Sequence, residues 1–342
     1  MRPVRFSEHH GVTATAADDW FDPLLTEDTH LYVDPFLIFI DTHPDWANGH
    51  DRLMSFFNMV LEMLAESGFV DHKPLFTKAK GLLLFPEPPE FCLGVSEVSI
   101  FGRGSAKGLQ EGMLKGAADA ISLGIDSLKH FEEIALFGEQ IGADRVGDIT
   151  CDVLKADFIR YTQEVAVRHN IPLTKVRVKH ANWNPEFKRW MDAEVELPLN
   201  PFATKYIGHP VGVILTPKRF LRRLPTVDPD DFWEYAVTNE GEQIRADLNF
   251  EIGQRVDTAG IATLARRRRR LLKEYLEKLE AHPKPPYDVE EEPLLARGVP
   301  DRRRHGTGVG PPLLATTAMS ICPRRRTSAE VLWTSRSHAG PS

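Results

Sequence analysis

The stretch GADRVGDITCDVLKADFIRYTQ, residues 142–163, has the apolar spacing of a helix that packs on a core. At 100° per residue, a helix through this stretch places its apolar side chains on a single stripe. The stripe consists of Cys151, Leu154, Phe158, Tyr161 and Val165. We therefore predict one long helix over about 144–169, ending before the helix-breaking Pro172, with the stripe packed on a core.

The same stretch carries a row of carboxylates beside that stripe. Asp144, Asp148 and Asp152 lie four residues apart, and Lys155 follows one turn later. One interpretation is structural: Asp144 caps the helix, Asp148 is favoured by the helix dipole, and ion pairs form with Arg145 and Lys155. The other is a weak catalytic candidate, in which the three aspartates hold a divalent cation for a metal-dependent hydrolase or nuclease.

Composition indicates a folded mixed α/β (α+β) protein with more helix than strand. The 342 residues are 42% hydrophobic and 27% charged, a balance typical of globular proteins. No apolar run reaches the ~18 residues that span a bilayer, and the N-terminus lacks an apolar signal region. We therefore expect a cytoplasmic protein with no membrane partner. The three cysteines lack paired spacing, so we expect no disulfide framework, zinc ribbon or cofactor beyond the divalent metal considered above.

Local patterns predict alternating strands and helices along the chain. Strands are predicted in LYVDPFLIFI (31–40), GLLLF (81–85), KVRVKH (175–180), AEVELPLNPF (193–202) and HPVGVILTP (209–217), and a helix in RLMSFFNMVLEMLAES (52–67). Composition shifts then divide the chain into four parts. They are an N-terminal α/β part (1–170), a smaller mixed part (171–256), a long helix (257–280), and a linker with a disordered tail (281–342).

The tail and the helix before it have distinct compositions. Residues 294–342 contain eight arginines against Asp301 and Glu330, with no lysine and no periodicity. Such a segment is typical of a disordered basic tail, and it is also what an out-of-frame read of GC-rich DNA would give. In the helix, apolar residues at near-heptad spacing would allow oligomerisation. These residues are Leu264, Leu271, Tyr275 and Leu279.

A glycine loop, FGRGSAKG at residues 101–108, is the first candidate binding site. It follows a predicted strand and precedes a helix, the setting in which backbone N–H groups bind phosphate. The phosphate-binding residues would be Gly102, Arg103, Gly104, Lys107 and Gly108. The loop lacks the Gly-Lys-Ser/Thr ending of a Walker loop and misses the dinucleotide spacing by one residue. The alternative therefore remains that the glycine loop is only a tight connection between strand and helix and binds no ligand.

Two further clusters carry chemistry of other kinds. In DTHPDWANGHD (41–51), mixed nitrogen and oxygen ligands would suit a transition metal, although turn and capping roles also explain them. The weak metal candidates are Asp41, His43, Asp45 and His50. In the late helix, five consecutive arginines could contact nucleic acid or an acidic protein partner, or could simply be solvated. They are Arg266, Arg267, Arg268, Arg269 and Arg270.

Several segments resemble a family of uncharacterised bacterial proteins. They are LYVDPFLI, FPEPPEFCLGVSE, IGADRVGDITCDVLK, FIRYTQ, ELPLNPF with VILTPKRFLRRLP, and PPYDVEEEP. Longer members resemble proteins in which a PD-(D/E)xK nuclease-type domain follows the PYD segment, and this architecture implies phage defence. The resemblance therefore implies a non-catalytic sensing or nucleic-acid-positioning module that stops before its effector. A metal-dependent hydrolase and a ligand-free scaffold remain the alternatives.

Overall fold

The computed structural model describes residues 2–94, 106–122, 129–137, 143–248 and 257–288. Within these ranges, twelve α-helices and four strands confirm the predicted α+β class with more helix than strand. The elements as far as residue 168 are α1 (Phe6–His10), β1 (Tyr32–Val33), α2 (Pro35–Ile40), α3 (Gly49–Ser67), α4 (Pro74–Leu82), α5 (Ala106–Ser122), α6 (Glu133–Phe137), α7 (Ala143–Val153) and α8 (Lys155–Arg168). The later elements are β2 (Thr174–Asn184), β3 (Arg189–Leu197), α9 (Pro201–Ile207), β4 (Leu221–Arg222), α10 (Pro229–Leu248), α11 (Thr258–Arg267) and α12 (Arg269–Ala281).

The stretch 142–163 forms two helices instead of the single helix predicted from its periodicity. Between α7 and α8, Leu154 leaves helical geometry, with φ −100° and ψ 13°. All five stripe residues are nevertheless buried, and Leu154 and Phe158 have no exposed surface. The predicted packing face is confirmed, and the predicted continuity is wrong.

The hairpin of β2 and β3 is the larger of the two described sheets. The strands are antiparallel and pair from Thr174 with Leu197 to Asn184 with Arg189, with a register shift between Val178 and Asn182. Side chains on β2 alternate between buried and exposed, as expected of a sheet with one face on a core. The hairpin packs against α4, α7 and α8. The predicted strand at 175–180 is confirmed. The strand predicted at 193–202 is confirmed only as far as Leu197, because α9 begins at Pro201.

Residues 209–217, predicted as a strand, form no sheet. Among the described residues, their ladder contacts are two isolated antiparallel bridges, between Leu199 and Gly212 and between Trp20 and Pro217. The buried backbone finds partners elsewhere: the Ile214 N–H donates to the carbonyl of Glu90 over 2.8 Å. The apolar run is thus a buried extended segment whose hydrogen bonds satisfy distant loops.

The predicted strand at 31–40 is mostly helix. Only β1 is extended, paired with β4, and α2 begins directly after it at Pro35. The Asp34 carboxylate accepts a hydrogen bond from the Phe36 N–H over 3.1 Å. Aspartate followed by proline is the start signal of a helix, so the apolar run is carried into the core as a helical turn.

The predicted strand at 81–85 is also wrong. Helix α4 begins with Pro74 in its first turn and runs through Leu82, so the leucines of this run end a helix. Leu82 and Leu83 are buried. Buried apolar runs of this length do not distinguish helix from strand.

The predicted helix 257–280 is present with one interruption. Arg268, with φ −114° and ψ 55°, separates α11 from α12. Leu264, Leu271, Tyr275 and Leu279 are all buried, and these helices pack against α6 and α10 of the same chain. After α12 the chain returns to β4, where the Tyr287 N–H donates to the Leu221 carbonyl over 2.7 Å.

The predicted tail, from residue 289 onward, lies outside the described residues. The boundaries proposed at residues 170 and 256 stay predictions. No helix in the described ranges combines the length and the apolar composition needed to cross a membrane.

Candidate functional site

Asp144, Asp148 and Asp152 form the row of carboxylates predicted in this stretch. The two whose side chains the structure describes, Asp148 and Asp152, form ion pairs with neighbouring cations. An Asp148 oxygen lies 3.6 Å from the Arg145 guanidinium, and an Asp152 oxygen lies 2.7 Å from the Lys155 ammonium. Asp144 lies in the first turn of α7, and its side chain is outside the described part of the structure. The two ion pairs expected from the sequence are therefore present.

The Asp152–Lys155 pair differs from the expected surface pair because it is buried. The exposed fractions of the two side chains are 0% and 2%. Burial raises the pKa of Asp152 to about 6, against the attraction of Lys155. Burial also lowers the pKa of Lys155, but the carboxylates of Asp152 and Glu90 outweigh burial and raise it above its usual value. Both members are therefore charged at neutral pH.

This buried pair contacts the hairpin. The Lys155 ammonium donates to the Lys179 carbonyl over 3.3 Å, directly before His180, whose φ of 50° is unusual for a residue with a side chain. The His180 ring stacks on Trp190 at 4.9 Å between centroids and 4° between planes. Burial and then the charge of Lys155 lower the pKa of His180 to about 4, so the stacked ring is neutral.

The metal candidates in the loop 41–51 are spread over different surroundings. Asp41 pairs with Arg219 at 3.2 Å, and the His43 ring accepts a hydrogen bond from the Asp45 N–H. His50 packs its ring on the half-buried Phe39 and on the buried ring of His130. Within the described residues, no group of three or more His, Cys, Asp or Glu side chains is arranged to hold a metal ion.

A small crevice lies beside the same loop. Its volume is about 140 Å³, and Asp45, Arg52, Asp157 and Arg160 are among the residues that line it. The nearly buried Asp157 carboxylate forms ion pairs with two guanidinium groups, that of Arg52 at 2.6 Å and that of Arg160 at 3.3 Å. The two arginines are thus already committed to one carboxylate, which leaves the crevice close to neutral.

The arginines Arg266 to Arg270 lie on both sides of the break between α11 and α12. Arg268 pairs with Glu240 of α10 at 3.3 Å, and Arg270 pairs with Glu240 and Glu274. Part of the basic run is therefore used for packing between helices, and it does not present one uniform cationic face.

The glycine loop is only partly within the described residues. Gly102, Arg103 and Gly104 lie outside them, and Lys107 and Gly108 belong to the first turn of α5. One turn later, the Gln110 side-chain amide donates to the Lys80 carbonyl. The start of α5 therefore lies against the end of α4.

A second cavity lies beside the end of α4, and the sequence predictions did not include it. Its volume is about 610 Å³, and it opens between the end of α4 and the turn that joins β2 to β3. We call it the α4–hairpin groove. Its lining residues are Lys78, Gly81, Leu82, Phe187, Lys188, Arg189 and Trp190.

The walls of the α4–hairpin groove are held by specific contacts. The Trp190 indole N–H donates to the Leu82 carbonyl over 3.0 Å, which joins β3 to the end of α4. In the turn, the Asn184 side-chain oxygen accepts from the Phe187 N–H over 2.8 Å. Phe187 is 54% exposed, and the Arg189 guanidinium lies 5.5 Å from its ring centroid. The turn therefore presents an aromatic ring and two cations to the groove.

Charge pairing distinguishes the groove from the outer face of the same hairpin. On that outer face, Lys175 pairs with Glu194 at 2.8 Å and Arg177 pairs with Asp192 at 3.0 Å. The groove cations Lys78, Lys188 and Arg189 have no carboxylate within 4.0 Å among the residues that the structure describes. Unpaired cations beside the exposed ring of Phe187 form a surface suited to an anionic ligand that also carries rings.

One local signal could have identified this site. The tetrapeptide FKRW at 187–190 interleaves two aromatic residues with two cations, a composition typical of nucleic-acid contacts. The contribution of α4 had no such signal, because Lys78 comes more than a hundred residues earlier in the chain.

Comparison with known proteins gives a family without an activity. The family model described as a domain of unknown function (DUF8370) matches residues 11–228. The match includes the whole α4–hairpin groove and ends before the basic run at 266–270. No curated protein and no solved structure matches the chain.

Proposed function

We propose that this chain is a non-catalytic nucleic-acid-binding module. It belongs to the DUF8370 family of domains of unknown function. One observation carries the proposal: Lys78, Lys188 and Arg189 surround one groove without carboxylate partners in the described structure. Cations in this state are free to neutralise phosphates, and phosphate contacts dominate the affinity of proteins for nucleic acid. Because the chain has a net charge of −7, most of its surface repels nucleic acid, and phosphates are attracted only to this local group of cations.

The start of α5 supports the same location. Because Gln110 bonds to Lys80, the helix that follows the glycine loop begins near the helix that lines the groove. Gly102, Arg103, Gly104, Lys107 and Gly108 therefore stay in the proposal as a second set of phosphate contacts. The basic run at 266–270 is a weaker contributor, because Glu240 already engages two of its members.

The biological setting is the part of the proposal that rests on resemblance. In it, the chain is the sensing or positioning part of a cytoplasmic, defence-type nuclease system whose effector domain would follow the PYD segment. The genomic DNA beyond codon 293 tests this directly. An aspartate and Glu-x-Lys pair encoded in another frame would support the setting, and an intact unrelated reading frame would contradict it.

A metal-dependent hydrolase is the second candidate, favoured by a single observation. Asp152 is buried with its pKa raised to about 6, and such perturbed groups concentrate at functional sites. Under this alternative, Mn²⁺ raises the melting temperature and Asp148→Asn abolishes the rise. An unchanged melting temperature with Mg²⁺ and Mn²⁺ would remove it, and a ligand-free scaffold would follow if nucleic acid also failed to bind.

Salt-dependent binding is the experiment for the main proposal. Fluorescence anisotropy of a labelled oligonucleotide, titrated with the full chain between about 50 and 200 mM salt, gives the affinity and its salt slope. Three phosphate contacts predict a slope of about −2 in log affinity against log salt on a single strand, and Lys188→Ala should reduce it by about 0.7.

Matched variants on the outer face control for net charge. Lys175→Ala and Arg177→Ala remove the same charge from the same hairpin, and we expect little change in affinity because these side chains are already paired. Equal losses from the groove and outer-face variants would show that only net charge matters. If the oligonucleotide does not bind even at the lowest salt concentration, the proposed nucleic-acid binding is wrong.

A further inference from the structure

Phe187 occupies a position that packing does not explain. It lies at the tip of the β2–β3 hairpin with 54% of its surface exposed. Exposure of a large aromatic ring costs stability that an ordinary polar turn residue would not. Beside the cations of the α4–hairpin groove, an exposed aromatic ring supplies the face on which a nucleic-acid base can stack.

The backbone that carries this ring is held in position in the free protein. The Asn184 side chain accepts from the Phe187 N–H over 2.8 Å, and strand pairing closes the hairpin at Asn184 and Arg189. At its base, Trp190 is fixed by the Leu82 carbonyl and by the stacked His180 ring. A platform ordered in the free protein loses little conformational entropy when it binds.

The cations stand on two different elements of the groove. Lys78 belongs to α4, whereas Lys188 and Arg189 belong to the hairpin, and all three line one cavity of about 610 Å³. A strand whose backbone follows the groove would bring successive phosphates to both walls. A paired duplex would keep its bases stacked inside and could offer the exposed ring only its backbone.

We propose, resting on the nucleic-acid function proposed above, that the α4–hairpin groove selects single-stranded nucleic acid by stacking an unpaired base on Phe187. Lys78, Lys188 and Arg189 hold the flanking phosphates. The chemistry recognised is an unstacked nucleobase next to a phosphate. A free mononucleotide supplies the same groups, but it cannot reach the cations of both walls with successive phosphates.

The test measures binding of the full chain to four probes. They are a labelled oligothymidylate of about 20 nucleotides, the same strand in a duplex, adenosine monophosphate as a competitor, and polyglutamate as an acidic chain without bases. We expect the single strand to bind best. Phe187→Ala should weaken single-strand binding roughly 5- to 150-fold, the range found for loss of one stacked base.

Two further variants separate stacking from apolar contact. Phe187→Tyr keeps an aromatic face and should retain single-strand affinity within about twofold, whereas Phe187→Leu should resemble Phe187→Ala. Because the side chain is exposed, an unchanged melting temperature is expected for all three variants, and it verifies that each one folds.

The outcomes distinguish this inference from the function on which it rests. If Phe187→Ala binds like wild type while Lys188→Ala binds weakly, stacking is overturned and the phosphate-binding proposal stands. Equal or tighter binding of the duplex, or of polyglutamate, would also overturn single-strand selection. Competition by adenosine monophosphate at the concentration of the oligonucleotide would assign the groove to a mononucleotide instead.

Discussion

Replacing Lys155 with methionine tests the buried ion pair behind the hairpin. The Lys155→Met change leaves the Asp152 carboxylate, which has no exposed surface, without the cation that lies 2.7 Å away. Removing one partner of a buried pair destabilises a protein by about 3–5 kcal/mol, because the remaining charge stays buried and uncompensated. We expect a loss of that size in the free energy of unfolding near pH 8.

The pH dependence of this loss follows from the pKa of Asp152. In the wild type, burial raises that pKa from 3.8 to about 6. At about 1.4 kcal/mol per pKa unit, a raised folded-state pKa lowers stability by about 3 kcal/mol as pH rises from about 4 to about 6. Without Lys155, the pKa rises further, so the variant should continue to lose stability above pH 6 while the wild type does not.

Urea unfolding followed by circular dichroism at about pH 5.5, 7 and 8 measures this difference. The gap between wild type and Lys155→Met should widen with pH. The double variant Asp152→Leu/Lys155→Met removes both charges, and it should be more stable than the single variant at pH 8. A gap that does not change with pH, or a double variant less stable than the single one, would show that Lys155 does not stabilise a buried Asp152 carboxylate.

Substitutions at three further positions test the core. Burial raises the pKa of Glu132 well above its ordinary 4.5, so stability falls as pH rises and Glu132→Gln should gain stability over wild type between about pH 5 and 8 in melting experiments; a constant difference would contradict this. The buried Asp34 carboxylate accepts from the Thr226 N–H and hydroxyl over 2.9 and 2.6 Å, so Asp34→Ala should cost about 2–3 kcal/mol in urea unfolding, and Asp34→Asn less. A Cβ on Gly212 would lie 2.7 Å from a Leu197 methyl carbon, so Gly212→Ala should cost about 1–3 kcal/mol by the same measurement.

Side-chain periodicity predicted which faces are buried. The stripe from Cys151 to Val165 and the apolar residues of the late helix from Leu264 to Leu279 are all in the core. This succeeds because burial of a helix face depends on local spacing alone. The alternation in β2 was predictable for the same reason.

Interruptions and short strands were not predictable from spacing. Leu154 and Arg268 break helices whose periodicity continues on both sides. We predicted strands at 31–40 and 81–85, but the first run is mostly helix and the second ends a helix. These predictions failed because a short buried apolar run carries no signature that separates helix from strand. Tertiary packing decides these cases.

In the candidate site, too, local pairing could be predicted from the sequence, whereas burial and distant contacts could not. The sequence predicted that Asp152 and Lys155 would pair, but it could not show that both side chains are buried against the hairpin. The α4–hairpin groove joins Lys78 to the turn at Phe187, and residues so far apart in sequence meet only through the fold. Local composition alone could indicate half of the site, in FKRW.

The most direct test of the groove compares two charge-reversed proteins. Lys78→Glu/Lys188→Glu reverses two unpaired cations in the groove, and Lys175→Glu/Arg177→Glu reverses two paired cations on the outer face of the hairpin. Anisotropy with a labelled single strand at about 50 mM salt then gives both affinities at equal net charge. We expect the groove variant to lose binding while the outer-face variant stays close to wild type. Equal affinity of the two variants, whether both bind or neither does, would contradict it.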